Sequence, residues 1–100
     1  MLFKVEFLKF CINPEYVDSG KADSYVKAIT YLCEYLGLDV DNLSTQDLQL
    51  IKQIEPDISN NTSDFYLKFK EYLTNKGRKS YLTKGFIKAS LGYLYKFFNI

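Results

Sequence analysis

Lys21 to Leu36, KADSYVKAITYLCEYL, is the stretch that decides the fold class. Tyr25, Ala28, Ile29, Leu32 and Leu36 recur at helical spacing, with Lys27, Thr30 and Glu34 on the other side, the pattern of an amphipathic helix laid on a core. Gly37 follows at once, where a left-handed residue commonly ends a helix. On the amino-terminal side, Phe3-Lys4-Val5-Glu6-Phe7 alternates like a strand, but Leu8 and Phe10-Cys11-Ile12 break the alternation. Phe3, Phe7, Phe10 and Cys11 share one helical stripe instead, so Met1 to Ile12 reads as a helix. Asn13-Pro14 stops it, because the residue before a proline avoids the α region. Glu15 to Gly20 reads as a connecting turn.

On the carboxyl side, Leu38 to Asn42 links to Ser44-Thr45-Gln46-Asp47, a capping box with Asp in place of the usual Glu or Gln. A short helix to about Glu55 turns Leu48, Ile51 and Ile54 inward, and Pro56 closes it. Asp57 to Ser63 is a polar loop whose Thr62 or Ser63 caps the next helix, with Phe65, Phe69, Tyr72 and Leu73 inward and Gly77 as its stop. The last helix runs from about Ser80 to Phe98 and buries Ile87, Leu91, Leu94 and Phe98. Gly85, Ala89 and Gly92 form a strip of small residues along it. Interior glycines cost about 1 kcal/mol each relative to alanine, so close crossing by a neighbouring helix is expected there; approach of a phosphate backbone and a dimer seam are the alternatives. AITYLCEYLGL (Ala28 to Leu38) also echoes SLGYLYKFFNI (Ser90 to Ile100), with Tyr31-Leu32 opposite Tyr93-Leu94. Two amphipathic helices of like composition explain the echo, and a duplicated helical hairpin is the alternative. The expected fold is all-α, a compact single-domain bundle of about five helices with orthogonal, SAM-like packing.

The chain has 100 residues, nearly half of them apolar, with nine Tyr and eight Phe against one Met and no Trp. Such a composition builds a core on rings and argues against disorder. No apolar run reaches the roughly 20 residues of a membrane span. Glu6 and Lys9 interrupt the apolar start and no small-residue cleavage site follows, so that start reads as mature protein. There is no histidine, and Cys11 and Cys33 fit no zinc spacing. Two buried free thiols in a cytoplasmic protein are the expected state, ahead of a disulfide between them. Without histidine, catalysis would need carboxylates or Lys, and no nucleophile–base pair stands out. Asp39 and Asp41 suggest a cation loop at first sight, but Leu43 occupies the place of a third oxygen ligand, and capping is the favoured role. The overlapping sequons in Asn60-Asn61-Thr62-Ser63 are idle without secretion.

Charge is distributed unevenly. Up to Asn75 the chain holds all 12 acids against seven bases; from Lys76 onward it has six bases and no acid. A basic end on an acidic body points to a polyanionic partner.

Three stretches taken together, GKADSYVKAITYLCEYLGL (Gly20 to Leu38), LSTQDL (Leu43 to Leu48) and YLKFKEYLTNKGRKSYLTKGFIKASLGYLYKFF (Tyr66 to Phe98), resemble the helical module that precedes the nuclease domain in some HNH-type and other restriction endonuclease-like bacterial proteins. More remotely the plan is similar to the core-binding domain of tyrosine recombinases. The resemblance covers about four-fifths of the chain. It implies a helical module that helps a larger enzyme of a defence system or mobile element hold DNA, here as a fragment of a longer protein or a stand-alone relative. No Asn/His nuclease motif and no paired-carboxylate metal site is present, so no catalytic residue, metal or cofactor carries over.

The candidate DNA-binding residues are Lys76, Arg78, Lys79, Tyr81, Lys84 and Lys88. Lys76, Arg78 and Lys79 flank the start of the expected last helix, where backbone N–H groups and the dipole favour an anion. Lys84 and Lys88 share a helical face, and Tyr81 is placed to stack on a base or sugar or to donate to a phosphate. The rival is a solvated basic face paired with the acidic body. The expected partner is double-stranded DNA, with a homodimer second and neither a membrane nor a small-molecule substrate. A protein-interaction or dimerisation domain is the alternative function.

Overall fold

Among the residues described by the computed structural model, 2–12 and 16–100, the chain forms six α-helices and one 3₁₀ turn, with no strand. The helices are α1 (Phe3–Ile12), α2 (Ser19–Leu36), α3 (Thr45–Ile58), α4 (Asp64–Asn75), α5 (Ser80–Thr83) and α6 (Phe86–Phe98), and the 3₁₀ turn is Val40–Asn42. The all-α bundle is the fold class expected from the sequence. The expected stop of α1 at Asn13-Pro14 falls outside the described residues.

Polar side chains open four of the helices. Asp18 caps α2 by accepting from Lys21 N at 2.8 Å, so α2 starts inside the expected turn. Ser44 and Asp47 form the reciprocal capping box of α3, each side chain accepting from the other's backbone N–H at 3.0 Å. Of the two candidates before α4, Ser63 is the cap, accepting from Tyr66 N. The α1 cap comes from far along the chain: Asp41 Oδ1 accepts from Phe3 N at 2.7 Å. Asp39 meanwhile holds Asp41 N and the Asn42 side chain, so both aspartates serve as caps.

Three helices end alike. At Gly37, Gly77 and Asn99 the chain takes a left-handed residue, with φ of 74°, 69° and 58°. The N–H after each reaches back to a carbonyl in the last turn: Leu38 to Cys33, Arg78 to Leu73, Ile100 to Tyr95. These are Schellman closures. Gly37 and Asn99 occupy equivalent places in the repeated sequence, so the echo between α2 and α6 extends to how both helices stop.

Two expected boundaries move. The third helix runs past Pro56 to Ile58. Proline in a last turn forfeits a single intrahelical bond, and the added turn seats Ile58 in the core at 3% exposure. The expected last helix is broken in two at Gly85, whose φ of 80° lies in the left-handed region that ends α5 and begins α6. The small-residue strip is also not a helix crossing. A Cβ built at Gly85 or Gly92 meets nothing within 4 Å, and Ala89 and Gly92 face solvent.

The core lies where α2 packs along α6, with α1 across both. Ile29, Leu32, Leu91 and Leu94 are fully buried there, together with Phe3 and Phe7 of α1. The two phenylalanine rings stack at 4.8 Å, and Phe97 meets Phe7 edge-on at 5.5 Å. Full burial of each such side chain contributes about 1.5–3 kcal/mol, so this three-helix junction carries a substantial share of the stability. Tyr35 of α2 meets Phe69 and Tyr72 of α4 at 4.9 and 5.0 Å, which ties α4 to the same framework. Cys11 and Cys33 are free and buried. The radius of gyration, 12.8 Å, is that of a tightly folded chain of this length. Among the described residues no helix is long and apolar enough to cross a membrane.

Candidate nucleic-acid interface

The basic segment begins at the Schellman turn that ends α4. Lys76 is the helix cap, and its ammonium lies 2.7 Å from the Glu34 carboxylate of α2 and 5.2 Å from the Tyr72 ring. Tyr72 donates its hydroxyl to the same carboxylate. Lys76 holds the Glu34 carboxyl below its ordinary pKa, with help from Tyr72, and Glu34 in turn raises the ammonium of Lys76. Lys76 is therefore engaged with the acidic half of the chain.

Gly77 then reverses the backbone, and the Arg78 N–H to Leu73 O bond of 2.8 Å fixes the position of Arg78. Arg78 lines a shallow pocket of about 250 Å³ with Lys4 of α1 and with Val26, Lys27, Thr30 and Tyr31 of α2. Lys27 pairs with Asp23 at 3.0 Å; the Asp23 bond raises the lysine's pKa while the nearby Arg78 charge opposes that rise. Three cations from three separate parts of the chain thus meet around one depression.

Lys79 and Lys84 bracket α5, one at each end, and both are exposed. The expected anion site at a long helix's N-terminus is not formed. Helix α5 is one turn long and has no side-chain cap, and such a turn carries little of the summed dipole of a full helix. Tyr81 is half-buried, packed against Tyr31 at 5.8 Å and Phe86 at 5.7 Å. It joins α5 to α2 and α6. Because Gly85 breaks the helix, Lys84 and Lys88 lie on different elements and do not share a helical face. Lys88 lines a second depression, of about 320 Å³, with Asn60 and Asn61 of the α3–α4 turn and Thr83 of α5. Among the described residues, none of the three ion pairs involves Arg78, Lys79, Lys84 or Lys88.

Lys4 and Lys27 escaped the sequence reading. Each looked like an ordinary polar position of its own helix, and only the fold brings them to Arg78 from far away in the chain. Among the described residues no group of three metal-ligating side chains gathers. Comparison with known proteins gives no match: no family model fits the chain, and no curated protein or solved structure is significantly similar to it.

Proposed function

We propose that this chain is a non-catalytic DNA-binding module that holds the phosphates of double-stranded DNA through Arg78, Lys79, Lys84 and Lys88. One observation supports this best: four exposed cations follow one another from Arg78 to Lys88 with no acid in the sequence between them and none paired to them among the described residues. Cations left without partners on a surface are available to displace the counterions of a nucleic acid. Lys76, joined to Glu34, contributes less, and Tyr81 acts as a packing residue that positions α5. The resemblance noted in the sequence adds a setting, an accessory role within a restriction-type or mobile-element endonuclease.

The test is binding of a fluorescent duplex at about 50 mM salt by Lys79→Glu/Lys84→Glu/Lys88→Glu, with circular dichroism to confirm that the triple variant folds. The expected result is loss of binding that the parent chain shows. Binding equal to the parent's rejects the proposal.

A second reading, a protein-interaction or dimerisation domain, is favoured by the outer face of α1. Val5 and Ile12 are 42% and 41% exposed, beside Leu2 at 67%, while the opposite face of the same helix is buried. This reading requires a mass in sedimentation that rises with concentration and is lost in Val5→Glu or in Gly92→Leu.

A further inference from the structure

The pocket around Arg78 is more than an extension of the basic surface, because its walls have two characters. Lys4, Lys27 and Arg78 stand on its rim, whereas the half-buried ring of Tyr31 supplies apolar surface and Val26, almost fully buried, offers little. Among the described residues the only acid paired with a rim cation is Asp23, so three positive charges face one negative there. Among the described residues Arg78 uses one of its five donors, on Gly77 O at 3.2 Å. Thr30 donates its hydroxyl hydrogen to Val26 O at 2.8 Å, which leaves its oxygen as an acceptor at the pocket wall. Cationic rim, apolar wall and a lone acceptor match a phosphate attached to a flat ring that carries N–H groups. The volume, about 250 Å³, lies just below the range of ligand pockets, which starts from roughly 300 Å³, so it suits no more than a single small unit.

We propose that the Lys4–Val26–Lys27–Thr30–Tyr31–Arg78 pocket binds one unstacked nucleotide, its phosphate on Arg78 and Lys4 and its base against Tyr31. This rests on the reading of the chain as a phosphate binder and deepens it. A paired base inside a duplex is stacked between neighbours and cannot enter, so the pocket selects a strand end, an unpaired nucleotide or a free mononucleotide.

Amide spectra of the ¹⁵N-labelled chain decide the matter, titrated separately with thymidine 5′-monophosphate, thymidine, a 5′-phosphorylated oligothymidylate and a blunt duplex. The monophosphate or the oligothymidylate is expected to shift the amides of Lys4, Lys27, Thr30, Tyr31 and Arg78. Thymidine lacks the phosphate and is expected to bind at least tenfold more weakly. Lys4→Gln, which alters only an exposed side chain, and Thr30→Phe, which fills the pocket, should each weaken this response by tenfold or more while duplex binding persists. A response to the monophosphate without one to the oligothymidylate assigns the pocket to free nucleotides. Silence of these amides towards both phosphorylated probes, or equal binding of thymidine and its monophosphate, overturns the inference. Duplex binding with a silent pocket overturns this inference alone, whereas a responding pocket with no duplex binding supports it and overturns the duplex reading.

Discussion

Lys76 and Glu34 meet at 2.7 Å across the α4–α2 contact, and Tyr72 donates to the same carboxylate. The pair takes one lysine out of the run of bases that begins at residue 76 and fastens the start of that run to α2. Both members stay substantially exposed, so its worth to folding is small. Its larger effect is on the number of cations open to a partner.

Glu34→Gln removes a charge and releases Lys76. Duplex DNA should then survive to higher salt, with the salt slope steeper by about 0.9 for one added phosphate contact. The pH profile carries a second signature. The folded Glu34 carboxyl sits below its ordinary value, so its contribution to stability is present at neutral pH and fades as pH falls through the folded value. Lys76 is raised, so its contribution is present at neutral pH and fades only in strong alkali. Melting temperature measured from neutral to acid pH should therefore fall less in Glu34→Gln than in the parent. Parallel curves and an unchanged salt slope would show that the pair does not matter.

Gly85 and Gly92 lie in the same sequence strip but have opposite roles. Alanine at Gly85 must take a left-handed conformation, at a cost of about 1–2 kcal/mol. Alanine at Gly92 sits in a regular helix facing open space, and should stabilise by up to ~1 kcal/mol. Urea denaturation of the two variants should move in opposite directions from the parent; a loss of stability in Gly92→Ala would mean that something covers that face.

Tyr95 has a buried hydroxyl that makes no well-formed hydrogen bond among the described residues, although Glu55 is near enough to add to the burial that pushes the phenol's pKa up. An unsatisfied buried hydroxyl is a cost. Tyr95→Phe should leave stability unchanged or raise it by up to ~1 kcal/mol in chemical denaturation, and a clear loss would show that Glu55 holds the hydroxyl in solution.

Cys11 and Cys33 are buried thiols whose pKa values are pushed up to about 11 and about 12, in both cases chiefly by desolvation. Thiolate is the reactive form. Ellman's reagent at pH 8 should leave both unmodified in the native chain and react with both in denaturant. Rapid native reaction at Cys11 would contradict the packing of α1 on the core, and at Cys33 the burial of that face of α2.

What the sequence made legible followed local rules. The apolar period of Lys21 to Leu36, the Ser44–Asp47 box and the glycine stops at 37 and 77 each depend on neighbours within a turn or two. The break at Gly85 was hidden because Ile87, Leu91 and Leu94 keep helical spacing and give no sign of a left-handed residue just before them. Pro56 misled in the other direction, since one lost bond in a last turn weighs less than burial of Ile58. Asp41 read as a cap, but its target, Phe3 N, is set by tertiary packing. The site divided the same way. The run of bases from Arg78 to Lys88 was visible as composition, while the removal of Lys76 by Glu34 and the arrival of Lys4 and Lys27 beside Arg78 come from the fold.

The most direct measurement is the affinity of the whole chain for a short duplex across a salt series from about 50 to 200 mM. Four phosphate contacts, from Arg78, Lys79, Lys84 and Lys88, predict a line of log affinity against log salt with a slope of about −3.6, and no measurable binding by the Lys79→Glu/Lys84→Glu/Lys88→Glu variant anywhere in the series. An affinity that does not change with salt, or no binding even at the lowest salt, would contradict the assignment of these four cations to nucleic acid.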